Sequence, residues 1–242
     1  MRTGTGTLPQ RRQPRRYGPA SGLVNALRRG VAGAALLALA LLLSVAAAAA
    51  ATPPRILVIG DSIAAGYGLP PGQGFPERLQ AKLAADGIAT TVINGGVSAD
   101  TTAGGVARLD WALAEKPDYV LLELGGNDML RAVDPKIVYA NLDTMLTRIA
   151  ESGAKALLIG MKAPANWGAD YREAFDAVFP ALAAKHHVPL YPFLLEGVAL
   201  QPALNQPDGL HPNPAGVAII VDRLAPYVER LLHGTVSAGG AG

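Results

Sequence analysis

The sequence predicts one doubly wound α/β domain, in which helices cover both faces of a five-stranded parallel sheet. The first observation is that short apolar runs alternate with longer amphipathic stretches from Arg55 onwards. The second is that these runs are apolar throughout, which is typical of parallel strands buried on both faces. No internal repeat or second domain is evident. These observations indicate a single three-layer α/β/α domain whose active site lies at the carboxyl ends of the strands.

The predicted strands and helices follow one another in regular alternation. The apolar runs predict strands over residues 55–59, 90–94, 119–124, 155–161 and 190–193. The amphipathic stretches predict helices over residues 75–86, 101–115, 135–152, 171–187 and 214–232. Asp100 is the expected N-cap of the second helix. Pro135 and Gly153 are residue types favoured in the first turn and just past the end of the third.

The first 51 residues differ from the rest. They contain seven arginines and no acidic residue, and they end in an apolar run over residues 31–51 that finishes in alanines. This layout predicts a cleaved signal peptide over 1–51 and a periplasmic or secreted protein. The alternative is an uncleaved leader that anchors the protein in the inner membrane, because the run is long enough to span a bilayer. The folded domain is expected over residues 52–233, followed by a disordered tail over 234–242.

Charge and cysteine content exclude several classes of function. The formal net charge is +2, but beyond the leader 14 basic residues stand against 19 acidic ones, a charge of −5. A mildly acidic domain without a basic cluster is not expected to bind nucleic acid. The chain has no cysteine, which excludes disulfides, thiolate catalysis and cysteine metal sites.

The first polar motif, GDS at residues 60–62, follows the first predicted strand. A serine there is presented at the sheet edge, where its own backbone N–H lacks a helical partner. Ser62 is therefore a candidate nucleophile. Taken alone, the motif is more typical of a simple helix N-cap, and it differs from the G-x-S-x-G pattern of α/β-hydrolases.

Two Gly-rich loops follow the second and third predicted strands. The loop over residues 94–101 can offer backbone N–H groups to an anion. The GGND sequence at residues 125–128 adds the side-chain amide of Asn127 as a further donor. Each loop alone could also be an ordinary turn, in which Gly and Asn are favoured for their backbone angles.

The last motif, DGLH at residues 208–211, precedes the final predicted helix. A turn over this spacing can bring the Asp208 carboxylate to one nitrogen of His211 and leave the other nitrogen facing Ser62. By itself the motif could be a solvated surface loop. The other histidines lie at helix ends and are expected to be solvated: His186, His187 and His233.

The combination of these motifs decides between the alternatives. They provide a nucleophile, donors for an oxyanion, a base and a group that orients the base. All of them lie in loops at the same predicted edge of the sheet. Because acyl transfer requires this set of groups, the sequence predicts a serine hydrolase.

In this order the motifs resemble the successive blocks of SGNH (GDSL-type) hydrolases. The similarity covers GDSIAAGYG, NGGVSADT, GGND and the final D-x-x-H, over about residues 55–232. The stretches LELGGNDMLR, APANWG and DGLHPN most resemble the bacterial periplasmic branch with acyl-thioesterase, lysophospholipase and arylesterase activity. The resemblance implies a flavodoxin-like sheet and hydrolysis of esters, or also thioesters, without a metal or cofactor.

The resemblance also implies the role of each residue in the site. Ser62 would be the nucleophile, His211 the base and Asp208 its partner. The oxyanion would be bound by the backbone N–H groups of Ser62 and Ala99 and by the side chain of Asn127. Ala99 stands where the branch usually has Gly. An Ala at positive φ costs roughly 1 kcal/mol, whereas at negative φ the change is nearly silent.

The expected partner is a small-molecule ester or thioester with a lipid-like chain or aromatic ring, and no obligate protein partner is predicted. The residues expected to contact it are Asp61, Met129, Leu130, Pro164 and Trp167. One alternative is a carbohydrate O-deacetylase, which the low aromatic content of 5% disfavours. The other is a non-catalytic flavodoxin-like binding module. It gives no reason for the Asp-x-x-His spacing, and the chain lacks a G-x-G-x-x-G or P-loop pattern.

Overall fold

The computed structural model describes residues 52–234, and at its centre lies a parallel sheet with strand order β2-β1-β3-β4-β5. The strands are β1 (Arg55–Gly60), β2 (Thr91–Gly96), β3 (Tyr119–Glu123), β4 (Lys155–Ile159) and β5 (Leu190–Tyr191). The apolar residues of β1, β3 and β4 are almost completely buried, because helices cover both faces. The predicted five-stranded parallel sheet is confirmed.

The helices form one layer on each face of the sheet. They are α1 (Ser62–Ala65), α2 (Phe75–Ala85), α3 (Thr102–Leu113), α4 (Gly126–Leu130), α5 (Pro135–Glu151), α6 (Ala169–Asp176), α7 (Val178–His186) and α8 (Pro214–Leu232). In one layer α2 packs against α8, and in the other α5 packs against both α3 and α7. The result is the predicted three-layer arrangement.

The strand order reverses direction between β1 and β3. β1 pairs with β2 on one side and with β3 on the other. The segments that leave these strands therefore diverge to opposite faces, and a crevice opens at the carboxyl ends. Ser62 follows β1 and Asn127 follows β3, so the fold places both residues at this crevice.

Two predicted elements differ from the structure. The single helix predicted over residues 171–187 is wrong, because α6 and α7 are separate helices that meet at Ala177. Pro180 has no N–H to donate to the carbonyl of Asp176, which breaks the helix there. The fifth strand is shorter than predicted, since Pro192 follows Tyr191 and cannot donate to a sheet ladder.

Two smaller predictions are also wrong. Thr101, rather than Asp100, is the N-cap of α3, because the Thr101 hydroxyl accepts the Gly104 N–H at 3.3 Å. His186 is not solvated. Its side chain is 14% exposed, and its Nε2 lies 2.6 Å from an oxygen of Asp143, because α7 packs against α5. The other two histidines outside the DGLH motif are exposed.

Within residues 52–234, no helix combines the length and apolar character needed to cross a membrane. The predicted signal peptide over residues 1–51 lies outside the described residues, as does the predicted tail beyond Gly234.

Candidate active site

Ser62 is the first residue of α1, directly after the turn that ends β1. Asp61 caps this short helix, because its Oδ1 accepts the Ile63 N–H at 3.0 Å. Ser62 is 8% exposed. Gly60 allows the backbone before Ser62 to lie close to the Glu123 side chain, because a Cβ on Gly60 would lie 2.2 Å from a carboxylate oxygen of Glu123. The GDS motif therefore places Ser62 at the carboxyl end of a buried strand, the position expected for a nucleophile in this type of sheet.

A continuous chain of polar contacts joins the serine to the DGLH motif. The Oγ of Ser62 lies 2.7 Å from His211 Nε2, and His211 Nδ1 lies 2.6 Å from Asp208 Oδ2. The other oxygen of Asp208 accepts the backbone N–H groups of Leu210 and His211 at 2.9 and 3.0 Å. These backbone bonds, together with the imidazole contact, lower the pKa of Asp208 to about 2. The carboxylate is therefore ionised when it orients the imidazole.

Two side chains that sequence analysis gave no role, those of Tyr67 and Gln206, hold the His211 loop, which we define as residues 205–213. The ring of Tyr67 lies 4.8 Å from the His211 ring, measured between centroids. Gln206 donates from Nε2 to the carbonyl oxygens of Tyr67 and Pro212, at 2.8 and 3.0 Å. Gln206 also donates its backbone N–H to the His211 carbonyl at 2.7 Å. These roles could not be assigned from sequence, because the contact of Tyr67 with Gln206 spans 139 positions and its contact with His211 spans 144.

The three predicted oxyanion donors line one cavity. The backbone N–H groups of Ser62 and Ala99 have no acceptor among residues 52–234. The amide of Asn127 donates from Nδ2 to Asp61 Oδ2 at 3.1 Å, which fixes its orientation. Ala99 has φ of +64°, so the strained alternative of the two considered for this position applies.

A second carboxyl group, which sequence analysis missed, lies next to the segment that carries Ser62. Glu123 ends β3, is completely buried, and accepts the Asp61 N–H at 3.1 Å. Burial raises the pKa of Glu123 well above its usual value, and the nearby Asp61 adds to this effect. Burial also raises the pKa of Asp61 to about 6. The signal in the sequence was a lone Glu in the otherwise apolar run YVLLEL.

The cavity beside Ser62 has a volume of about 600 Å³, within the usual range for a small-molecule site. Of the predicted contact residues, the lining includes Asp61, Met129, Leu130 and Pro164. Trp167 is not in the lining, because the turn Ala165–Trp167 directs its ring to Tyr171, 5.6 Å away between centroids. The lining also includes residues that sequence analysis missed: Phe193, Leu195, Ala199, Leu200 and Leu210.

These missed residues follow β5 or belong to the His211 loop. The segment after β5 reads PFLLEGVAL, and its apolar character at the same sheet edge was the available signal. Leu200 is 84% exposed, so the rim of the cavity is apolar as well as its walls. Within residues 52–234, no group of three or more His, Asp or Glu side chains is arranged to hold a metal ion.

Comparison with known proteins agrees with this geometry. The sequence pattern of the GDSL-like Lipase/Acylhydrolase family matches residues 58–219. This chain belongs to that family. The match begins within β1 and ends within α8, so it covers the serine, both glycine loops and the DGLH motif.

Three relatives within this family are similar over nearly their whole length. Esterase TesA of Pseudomonas aeruginosa is 44% identical, over 73% of this chain and 89% of its own. An arylesterase of Vibrio mimicus is 41% identical, over 74% and 90%. Thioesterase 1/protease 1/lysophospholipase L1 of Escherichia coli is 39% identical, over 74% and 85%. A crystal structure of TesA matches with a TM-score of 0.70 at 43% identity, covering 73% of this chain and 99% of that one.

Proposed function

We propose that Ser62, His211 and Asp208 are the catalytic residues of this chain, which is a hydrolase of carboxylic esters. The reaction proceeds through an acyl-serine intermediate on Ser62. One observation carries the assignment of these residues. It is the chain of contacts from Ser62 Oγ to His211 Nε2 and from His211 Nδ1 to Asp208, at 2.7 and 2.6 Å. Both distances are within the range for proton transfer along a hydrogen bond.

In the first half of the reaction, His211 Nε2 takes the hydroxyl proton as Ser62 Oγ attacks the acyl carbon. The carbonyl oxygen becomes negative and is bound by the Ser62 and Ala99 N–H groups and the Asn127 amide. Loss of one such donor costs about 10²–10³ in turnover. His211 then protonates the leaving oxygen or sulfur, and the C–O or C–S bond breaks.

In the second half, a water molecule attacks the acyl-serine. His211 takes its proton and returns a proton to Ser62 Oγ as the acid leaves. Asp208 remains ionised throughout, because its pKa is lowered to about 2, and it stabilises the imidazolium that forms in each half. This reaction is complete with the residues of the chain, the ester and water.

The cavity supports an acyl group that is lipid-like or aromatic. Its wall contains the side chains of Met129, Leu130, Phe193 and Leu195. Burial of such apolar surface contributes roughly 25 cal/mol per Å² of substrate, so a long acyl chain gains more than an acetyl group. This favours lipid-like and aryl esters and thioesters over an acetylated sugar. The names of the relatives, which include arylesterase and lysophospholipase, support the same choice.

Export to the periplasm or cell exterior is part of the proposal. It is supported by the arginine-rich start and the apolar run over residues 31–51. Cleavage after export would leave a chain that begins near Thr52. Mass spectrometry of the protein purified from its compartment measures the new N-terminus directly.

The catalytic proposal is tested by hydrolysis of p-nitrophenyl esters from acetate to palmitate. Wild type is expected to hydrolyse the series, with a preference for chains longer than acetate, and Ser62→Ala is expected to be inactive. A fluorophosphonate probe should label Ser62 in the wild type, as shown by peptide mass spectrometry. Ser152→Ala, at an exposed serine outside the cavity, is the matched control. Retained activity in Ser62→Ala contradicts the proposal.

A further inference from the structure

Arg108 in α3 binds three separate segments of the chain with one side chain. Its Nε donates to Asp100 Oδ2 at 2.7 Å, Nη1 donates to the Gly95 carbonyl at 2.7 Å, and Nη2 donates to the Gly60 carbonyl at 3.0 Å. The side chains of Arg108 and Asp100 are only 18% and 9% exposed. An ion pair with this little exposure and additional bonds to carbonyls is a fixed feature of the structure, unlike a surface pair.

The three acceptors lie next to the proposed oxyanion donors. Gly60 is the last residue of β1 and stands two positions before Ser62. Gly95 lies in the neighbouring strand β2, which leads into the loop that carries Ala99. Asp100 is the residue directly after Ala99. The guanidinium therefore connects the segment that supplies one backbone donor to the segment that supplies the other.

Ala99 needs such support because of its backbone conformation. It occupies the third position of a turn closed by the bond from Asp100 N–H to the Val97 carbonyl, at 3.1 Å, and its φ is +64°. A non-Gly residue at this φ costs roughly 1 kcal/mol. Such strain persists where the surroundings determine the conformation. Arg131 contributes by donating to the Ala99 carbonyl at 3.0 Å, and Arg108 holds the next residue.

We propose that Arg108 is a positioning residue of the oxyanion hole, which holds the N–H groups of Ser62 and Ala99 at a fixed separation and keeps Ala99 in its left-handed conformation. It does not line the cavity, so it does not contact the substrate. The inference rests on the proposed function, because it takes these two N–H groups as the donors. Arginine can hold these segments together because its planar guanidinium directs N–H groups to several acceptors at once. The donors of a lysine all lie on a single nitrogen.

The test combines Arg108→Lys with Ala99→Gly in a double-mutant cycle. Arg108→Lys keeps the charge but loses the fork, and it is expected to lower kcat for a p-nitrophenyl ester by about 10- to 100-fold, with KM little changed. Glycine adopts positive φ without the cost that Ala carries. Ala99→Gly in the Arg108→Lys background should therefore recover about fivefold of kcat, the equivalent of roughly 1 kcal/mol. The same change in the wild-type background supplies the fourth value of the cycle, from which the coupling between positions 99 and 108 is calculated.

Asp100→Asn provides a second route that leaves Arg108 in place. It removes the charge of the carboxylate and so weakens the bond from Arg108. The loss of kcat should be smaller than in Arg108→Lys, and Ala99→Gly should again restore part of it. Arg148→Lys, at an exposed ion pair of 3.6 Å with Asp110, is the matched control and should be silent. Thermal unfolding of each variant separates a loss of folded protein from a loss of turnover.

The outcomes distinguish this inference from the proposed function. If Ser62→Ala is inactive but Arg108→Lys and Asp100→Asn keep wild-type kcat, the positioning role is wrong and the catalytic assignment stands. The role is also wrong if Ala99→Gly gives no recovery in either background, since the losses then arise elsewhere. Activity in Ser62→Ala overturns the proposed function itself, whatever the Arg108 variants show.

Discussion

The two halves of the proposed catalytic site are built in different ways. The nucleophile segment, residues 60–62, joins a buried strand to a short helix and is in contact with the buried Glu123 and with Arg108. The His211 loop is more exposed, and the Asp208 side chain is 37% exposed. The nucleophile segment is thus held by the core, whereas the loop is held by a few polar contacts. We expect changes in the first to alter stability and activity together, and changes in the second to lower activity with a change in stability of about 1 kcal/mol or less.

The largest expected effect comes from Asp208→Asn in the His211 loop. An amide can place an N–H where the imidazole needs an acceptor, which selects the wrong tautomer, and kcat should fall by about 10⁴-fold. The free energy of unfolding should change by less than about 1 kcal/mol, because the position is exposed. Steady-state kinetics and urea unfolding measure the two quantities. Asp110→Asn, at an exposed aspartate, is the control. A large loss of stability in Asp208→Asn would contradict the expected difference between the nucleophile segment and the His211 loop.

Asp61→Asn tests the nucleophile segment through pH. Because burial raises the pKa of Asp61 to about 6, the native state holds a proton that the unfolded chain releases above its ordinary pKa of about 3.9. The free energy of unfolding contributed by this group therefore falls as pH rises between about 4 and 6, by about 3 kcal/mol for a shift of this size, and stays low above pH 6.

The Asn variant cannot ionise, so it should be more stable than wild type at pH 8 and lose this advantage near pH 4. Its kcat should fall, because Asn127 loses the carboxylate that fixes its amide. Urea unfolding at both pH values and kinetics at pH 8 measure these effects. Asp170→Asn, at an exposed position, should show neither. Equal stability differences at pH 4 and pH 8 count against the buried ionisation.

Gln206→Ala tests how far the His211 loop depends on its polar contacts. The change removes the two side-chain bonds to the carbonyls of Tyr67 and Pro212. We expect kcat to fall by about tenfold, because a displaced imidazole loses near-attack geometry, with a loss of stability of about 1 kcal/mol. Gln201→Ala, in the same region but without such side-chain bonds, is the control. Unchanged kcat would show that the loop needs no such support.

The smallest effect is expected from Ala99→Gly alone. Relief of the positive φ should raise the free energy of unfolding by about 0.5–1 kcal/mol, offset in part by the greater freedom of Gly in the unfolded chain. For a domain of this size this corresponds to about 1–4 °C in Tm. Ala132→Gly, at another residue with positive φ of 54°, is a matched change outside the cavity. A fall in Tm at position 99 would mean that Ala99 is not strained.

Sequence patterns predicted the sheet and the polar motifs because both are local. The apolar run of β1 and the long amphipathic pattern of α8 each indicate directly which residues are buried. The GDS and DGLH motifs are likewise local, because the residues of each motif lie within three or four consecutive positions. The break at Pro180 could also have been read from the sequence, since a proline removes a helical hydrogen bond wherever it falls.

Other features could not be predicted because they depend on contacts between distant segments. Arg108 bonds to Gly60 across 48 positions, and nothing in the helical pattern of α3 distinguishes it from a solvated arginine. The positive φ of Ala99 depends on two arginines from other segments. The direction of the Trp167 ring depends on a turn whose geometry no periodic pattern encodes.

The reversal of strand order between β1 and β3 separates what this fold must keep from what it can vary. Ser62 follows β1 and Glu123 ends the adjacent strand β3, while most of the cavity wall comes from connections that follow β3, β4 and β5. Such connections can change in length and composition without repacking the central strands. Related chains can therefore differ in acyl preference through the apolar residues of these connections, provided that Asn127, Asp208 and His211 within them are kept.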